Sequence, residues 1–334
     1  MDKKILDSVD KFYENNRINP DLYTASEIGR YIGNKRFDPK ITRDNLMEKV
    51  GCWIERFKEE DKQYFLSLLQ NYVYISHNEF QHRIYNLCTY IYGELEQQGI
   101  EKTQVLFVTV PSLDGVMSGG DALRNTLREV NTEWLDKNQV VSDIEKVNDS
   151  ILNNKKAIIF IDDILGTGFS LRGTIDKFIE KFSINKLNNF RLGIASVLMT
   201  KHAVGYIKSK FKQLDLEVFA QPQNYIRSCM KGDYIFSGNE VKQIEEIILN
   251  YENEIGMDVE DGKDYAMGYK ACKLLLSFYY NTPNNTLCTF WKYSDKNIPI
   301  FPRDKYKTLT IDALKRRKQT CKDNAYRKGC VDAR

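Results

Sequence analysis

Two adjacent carboxylates, Asp162 and Asp163, stand two spacer residues ahead of Gly166-Thr167-Gly168-Phe169-Ser170. These residue types at this spacing could hold a phosphorylated sugar. Carboxylates accept hydrogen bonds from vicinal hydroxyls or hold water around a divalent cation. A turn of small residues offers its backbone N–H groups, and a helix starting there adds the positive end of its dipole; both suit an anion. Other readings fit less well. A Walker loop needs Lys after its second Gly, and Phe169 stands there instead. An aspartyl phosphohydrolase needs a second carboxylate two residues after the first, where this chain has Ile164. Simple helix capping would leave two neighbouring acids with nothing charged or hydroxylated to meet.

The elements that must position these residues are legible on both sides. Ala157–Ile161 is a continuous apolar run, the mark of a strand buried on both faces, and the acids follow at its carboxyl end. Leu171–Ile179 carries apolar residues at helical spacing. A second strand–loop–helix unit precedes it. Gln104–Val110 reads as a buried strand, Pro111–Asp121 as a Gly-rich loop, and Leu123, Leu127 and Val130 mark a helix. Ser118, Gly119 and Gly120 would open that helix onto another phosphate group, although Gly119-Gly120 also fits a bare tight turn. A short strand is expected at Gln139–Val141. Further on, a strand is expected at Arg191–Met199, a helix at Ala203–Phe211, a strand at Leu214–Phe219 and a helix at Val241–Tyr251. The alternation predicts an α/β fold with a parallel sheet and right-handed crossovers, its ligand at the carboxyl ends of the strands.

Residues 1–99 read as a helical N-terminal cap. Val50, Trp53, Ile54 and Phe57 fall at helical spacing, and Ser76-His77-Asn78-Glu79 is a capping box for a long helix that stops at Gly99. The α/β domain is assigned to residues 100–303, with a hood segment at 270–303. There an apolar strand, Leu274–Phe278, runs into the amide- and hydroxyl-rich turn Asn281–Thr286 and then Phe290 and Trp291. Such a loop can read a base edge through Asn284 and Asn285 while Trp291 offers a stacking face; a solvated turn is the plainer reading. Residues 304–334 hold ten Lys/Arg against four Asp and form a basic tail expected to be a mobile appendage, while the whole chain carries only +3. Seven cysteines without a C-x-x-C pair and three histidines show no zinc-ligand spacing. No apolar run suits a membrane span or leader, so a cytoplasmic protein that meets no membrane is expected.

The segment from Ala157 to Ser170 resembles the phosphoribosyl-pyrophosphate (PRPP) motif of type I phosphoribosyltransferases: hydrophobic strand, two acids, two spacers, phosphate loop. The resemblance implies that Asp162 and Asp163 are the catalytic pair, bind the ribose hydroxyls and hold Mg²⁺ through water. It further implies that Gly166, Thr167, Gly168, Phe169 and Ser170 wrap the 5′-phosphate, and that Ser118, Gly119 and Gly120 form the pyrophosphate loop. It also implies the type I sheet under a helical hood built from both chain ends. Gly166 stands where purine-salvage members carry an Asp acting on the base, so that base chemistry does not transfer. Residues 45–303 together resemble the branch associated with bacterial conflict systems, including proteins encoded beside retron reverse transcriptases. That likeness implies an anti-phage effector using PRPP or a nucleotide, in company with a reverse transcriptase and non-coding RNA or another defence protein. Two alternatives stay open: a non-catalytic PRPP- or nucleotide-sensing module that regulates a partner, and a nucleic-acid partner acting through the basic tail.

Overall fold

The computed structural model describes residues 3–18, 43–110, 119–130, 139–141, 144–258, 262–303, 306, 308–317 and 319. The chain forms two compact units, residues 76–227 and a second unit built from both chain ends, 1–75 with 228–334. In chain order the elements are α1 (Lys3–Asn15), α2 (Arg43–Ile54), α3 (Lys62–Gln70), β1 (Val73–Ile75), α4 (His77–Glu96), β2 (Val105–Thr109), α5 (Gly119–Val130), β3 (Val140–Val141) and β4 (Ala157–Leu165). They continue with α6 (Phe169–Phe182), β5 (Arg191–Met199), α7 (Lys201–Gln213), β6 (Val218–Tyr225), α8 (Val241–Gly256), β7 (Met257–Asp258), β8 (Lys263–Asp264) and β9 (Leu276–Phe278).

The unit 76–227 is an α/β layer structure. Its strands pair in the order β3-β2-β4-β5-β6, all parallel. Counted along the chain within the sheet, that order is 2-1-3-4-5, so the winding reverses between β2 and β4. Alternation of side chains sorts the two faces. Phe107 meets Tyr92 of α4 edge-on at 6.1 Å, and Phe160 meets Phe178 of α6 at 5.6 Å. Leu106, Val108, Ile158, Ile194 and Ile207 join Phe160 in the core beneath α6 and α7. Each strand is hydrophobic on both sides because helices cover both faces.

Several local expectations correspond closely to the structure. Ser76 accepts the N–H of Glu79 at 3.3 Å and opens α4, and β5 spans the residues that the apolar pattern marks. Two differ. The last strand is β6 at Val218–Tyr225 rather than Leu214–Phe219, because Leu214–Glu217 complete the exit from α7 and Asp215 takes a left-handed φ of 55°. Helix α4, grouped by its sequence with the N-terminal cap, belongs to the sheet unit and packs on β5 and β6.

The second unit is helical and aromatic at its centre. Phe57 stacks on Phe65 at 3.5 Å, Tyr72 on Phe301 at 4.8 Å, and Trp53 lies 5.0 Å from Phe290. Strand β1 pairs in parallel with β9, joining the chain's two ends. Its polar centre is Glu252 of α8, fully buried, whose carboxylate accepts the N–H groups of Met267 (3.0 Å), Cys288 (2.7 Å) and Thr289 (2.8 Å). At the end of α8 the Gly256 carbonyl receives Lys292 at 3.0 Å, and within the helix Arg56 donates to the Tyr251 carbonyl, also at 3.0 Å. Part of the basic segment departs from the expected mobile appendage: residues 308–317 are helical, Thr310 is buried, and Arg317 pairs with Glu55.

Glu252→Ala would leave those buried N–H groups without an acceptor and should destabilise the protein by about 3–5 kcal/mol in chemical denaturation. A change below ~1 kcal/mol would show that the loop does not depend on this carboxylate.

Candidate functional site

Strand β4 outruns its neighbour. Pairing with β2 ends at Thr109 opposite Ile161, while pairing with β5 continues through Asp162 opposite Ser196, Ile164 opposite Leu198 and Leu165 opposite Met199. The acids therefore lie inside the strand rather than just past its end, on an overhang where, among the described residues, β5 alone pairs with it. This overhang stands at the β2/β4 winding reversal, where open parallel sheets bind ligands.

The two acids do different local work. Asp163 is buried, and a Cβ placed on Gly119 would lie 2.1 Å from its Oδ2. The carboxylate thus rests on the first residue of α5, at the positive end of that helix dipole. Asp162 retains some exposure; its Oδ1 accepts the N–H of Asp163 at 2.9 Å. Burial, and then the charge of Asp163, push the Asp162 carboxyl well above the usual carboxylate range.

The loop beyond is built tightly. Gly168 adopts φ 82°, a conformation that favours glycine, and caps α6; its Cα faces Ile207 of α7, with a Cβ position only 3.2 Å from Ile207 Cδ1. Thr200 donates its hydroxyl to the Gly166 carbonyl at 2.6 Å and accepts the N–H of Ala203 at 3.0 Å, so one residue both caps α7 and holds the loop. Thr167 is buried, Ser170 is exposed and Phe169 is 47% exposed. Asp162, Asp163, Gly119 and the 166–170 loop are thereby gathered within one unit; Gly120 follows in the first turn of α5, and Ser118 lies outside the described residues.

The late block is placed in the other unit and is built as core. Trp291 is 1% exposed: its indole N–H donates to the Thr286 carbonyl at 2.9 Å, Arg303 lies over its ring at 5.3 Å, and Tyr265 meets it edge-on. Asn285 is buried, with its amide directed to the Tyr269 carbonyl and the Cys272 sulfur. Thr282 bonds Ser277 and the Phe301 carbonyl, and Thr286 bonds the Leu276 carbonyl. The expected stacking face of Trp291 is thus corrected to a packed core ring, and the Asn285 amide to an internal brace; Asn284 alone of the three stays half-buried. What the sequence reading missed is Thr200, whose only signal was its place just before the α7 pattern.

A family model places these observations. The PRTase-CE model matches residues 50–303, and the chain belongs to that family. A phosphoribosyltransferase-like α/β fold is thus its class. Among solved structures, the Helicobacter pylori xanthine-guanine-hypoxanthine phosphoribosyltransferase matches at 19% identity over 45% of this chain and 85% of its own, with a TM-score of 0.28. The AQ2163 protein from Aquifex aeolicus matches at 13% identity over 54% of this chain and 83% of its own, also with a TM-score of 0.28. Comparison with curated proteins gives no match. No helix among the described residues is long and apolar enough to cross a membrane.

Because the folded-state pKa of Asp162 stands above its unfolded value, the native state holds that proton more tightly. Stability is then lost as pH rises from the unfolded value through the folded one. Asp162→Asn should therefore raise the melting temperature at neutral pH and flatten the acid side of the stability profile. A lower melting temperature at pH 7 would contradict this balance.

Proposed function

We propose that this chain is a phosphoribosyltransferase-like enzyme that binds PRPP or a nucleotide and makes or breaks the bond at ribose C1. The observation that carries the reading is the overhang of β4, with its two acids, the Gly166–Ser170 loop and the Gly119 helix start gathered at the winding reversal. In this reading the loop's N–H groups hold the 5′-phosphate, Asp162 and Asp163 accept from the ribose hydroxyls, and Gly119 and Gly120 approach the pyrophosphate. Among the described residues no three His, Cys, Asp or Glu side chains form a metal cage. A partly desolvated acid pair fits Mg²⁺ held chiefly through water and ligand phosphates, with Asp162 and Asp163 as its protein ligands. Bound there, the ion would neutralise phosphate charge. The transition state is cationic at the sugar, so the residues act by positioning and charge placement rather than as a strong base.

The effector role belongs to the same proposal and rests on the likeness to conflict-system members, as does a complex with a reverse transcriptase and non-coding RNA or another defence protein. Growth arrest on expression, relieved by Asp162→Asn, is its test. A second reading, a PRPP or nucleotide sensor without turnover, is favoured by the exposed Phe169 inside the phosphate loop.

PRPP with Mg²⁺ should raise the melting temperature of the wild-type protein and leave the Asp162→Asn/Asp163→Asn variant unshifted. Equal shifts in both would overturn the site. Release of labelled pyrophosphate or free base identifies the enzyme, and a shift without turnover identifies the sensor.

A further inference from the structure

Phe169 occupies the first position of α6, directly after Gly168, yet leaves 47% of its surface in solvent. A large apolar ring is held there by construction. Its neighbour is Tyr206 of α7, ring centroids 5.0 Å apart and planes inclined at 39°. Arg172, one turn along α6, lies over the Tyr206 ring at 5.3 Å and donates to the Tyr206 hydroxyl. Arg172 is steadied in turn by Asp176, 3.5 Å away, and Asp176 by Lys210 of α7 at 3.1 Å. The next residue of α7, Ile207, is the one that backs Gly168. Gly168 of the loop and the Phe169 ring therefore rest on consecutive residues of one helix.

This arrangement sets a partly exposed aromatic face and a guanidinium beside the position that the proposed function gives to the 5′-phosphate. A ligand ending in a 5′-monophosphate has nothing to lay on that face. A ligand continuing beyond it, through a second phosphate to another nucleoside, places a base within reach of the ring and charge near Arg172. One ring pair with one guanidinium suits a single additional base, whereas a nucleic-acid strand would call for a wider basic track. Resting on the assignment of the 166–170 loop to the 5′-phosphate, we infer that the site takes pyrophosphate-linked dinucleotides, with the second base stacked on Phe169 and Tyr206.

Ribose 5-phosphate and ADP-ribose test this directly, since they are identical up to the 5′-phosphate and only the second carries the extension. In calorimetric titration of the full chain with Mg²⁺, ADP-ribose should bind about tenfold more tightly than ribose 5-phosphate, the gain of one aromatic stack. In Phe169→Leu the ratio of the two dissociation constants should fall severalfold, and in Phe169→Trp it should be kept or raised. Tyr206→Leu should reduce it as well. A ratio near one in the wild-type protein, or an unchanged ratio in Phe169→Leu, overturns the inference and leaves the phosphate site standing. Failure of ribose 5-phosphate, PRPP and ADP-ribose alike to bind overturns the phosphate assignment and this inference with it.

Discussion

The site depends on one mismatch of strand length. β4 and β5 run on together after β2 has stopped at Thr109. Backbone N–H groups of β4 beyond the pairing with β2 need acceptors from elsewhere. Here side chains supply them: Asp162 Oδ1 takes the N–H of Asp163, and Asp163 Oδ1 takes that of Ile164 at 2.7 Å. The acids thus complete the backbone bonding of the overhang.

The overhang also fixes what stands around it. Asp163 shares the parity of Ile159 and Ile161 in β4, so alternation sends it toward the α4/α5 face, where it meets Gly119. The loop after Leu165 must turn at once into α6, and glycine at 168 permits the left-handed turn while Ile207 closes in behind it. The desolvated position that stabilises the Asp163–α5 contact raises the free energy of the ionised Asp162 beside it.

In the unit built from both chain ends, polar residues serve the fold. Glu252 gathers the N–H groups of a loop that would otherwise be buried unsatisfied, and the Trp53 indole donates to the Thr289 carbonyl at 3.1 Å across 236 residues of sequence. With these internal partners, Phe290 and Trp291 of the loop are packed as core rings and are unavailable as faces.

The sequence by itself determined the elements near the acids. Continuous apolar runs require strands covered on both sides, Gly-Thr-Gly requires a turn, and helical periodicity after it requires α6; these depend on neighbours within a few residues. It also singled out Asp162, Asp163 and Gly119, which the fold gathers within one unit. Only the tertiary structure decided that the acids lie within β4 and that Gly119 closes on Asp163. It likewise decided that Thr200 holds the loop, and that Asn285 and Trp291 face inward. An amide or an indole carries the same donors whether its partner is a ligand or a distant carbonyl. The choice between them is made by chain segments tens to hundreds of residues away, whose arrival no local pattern records.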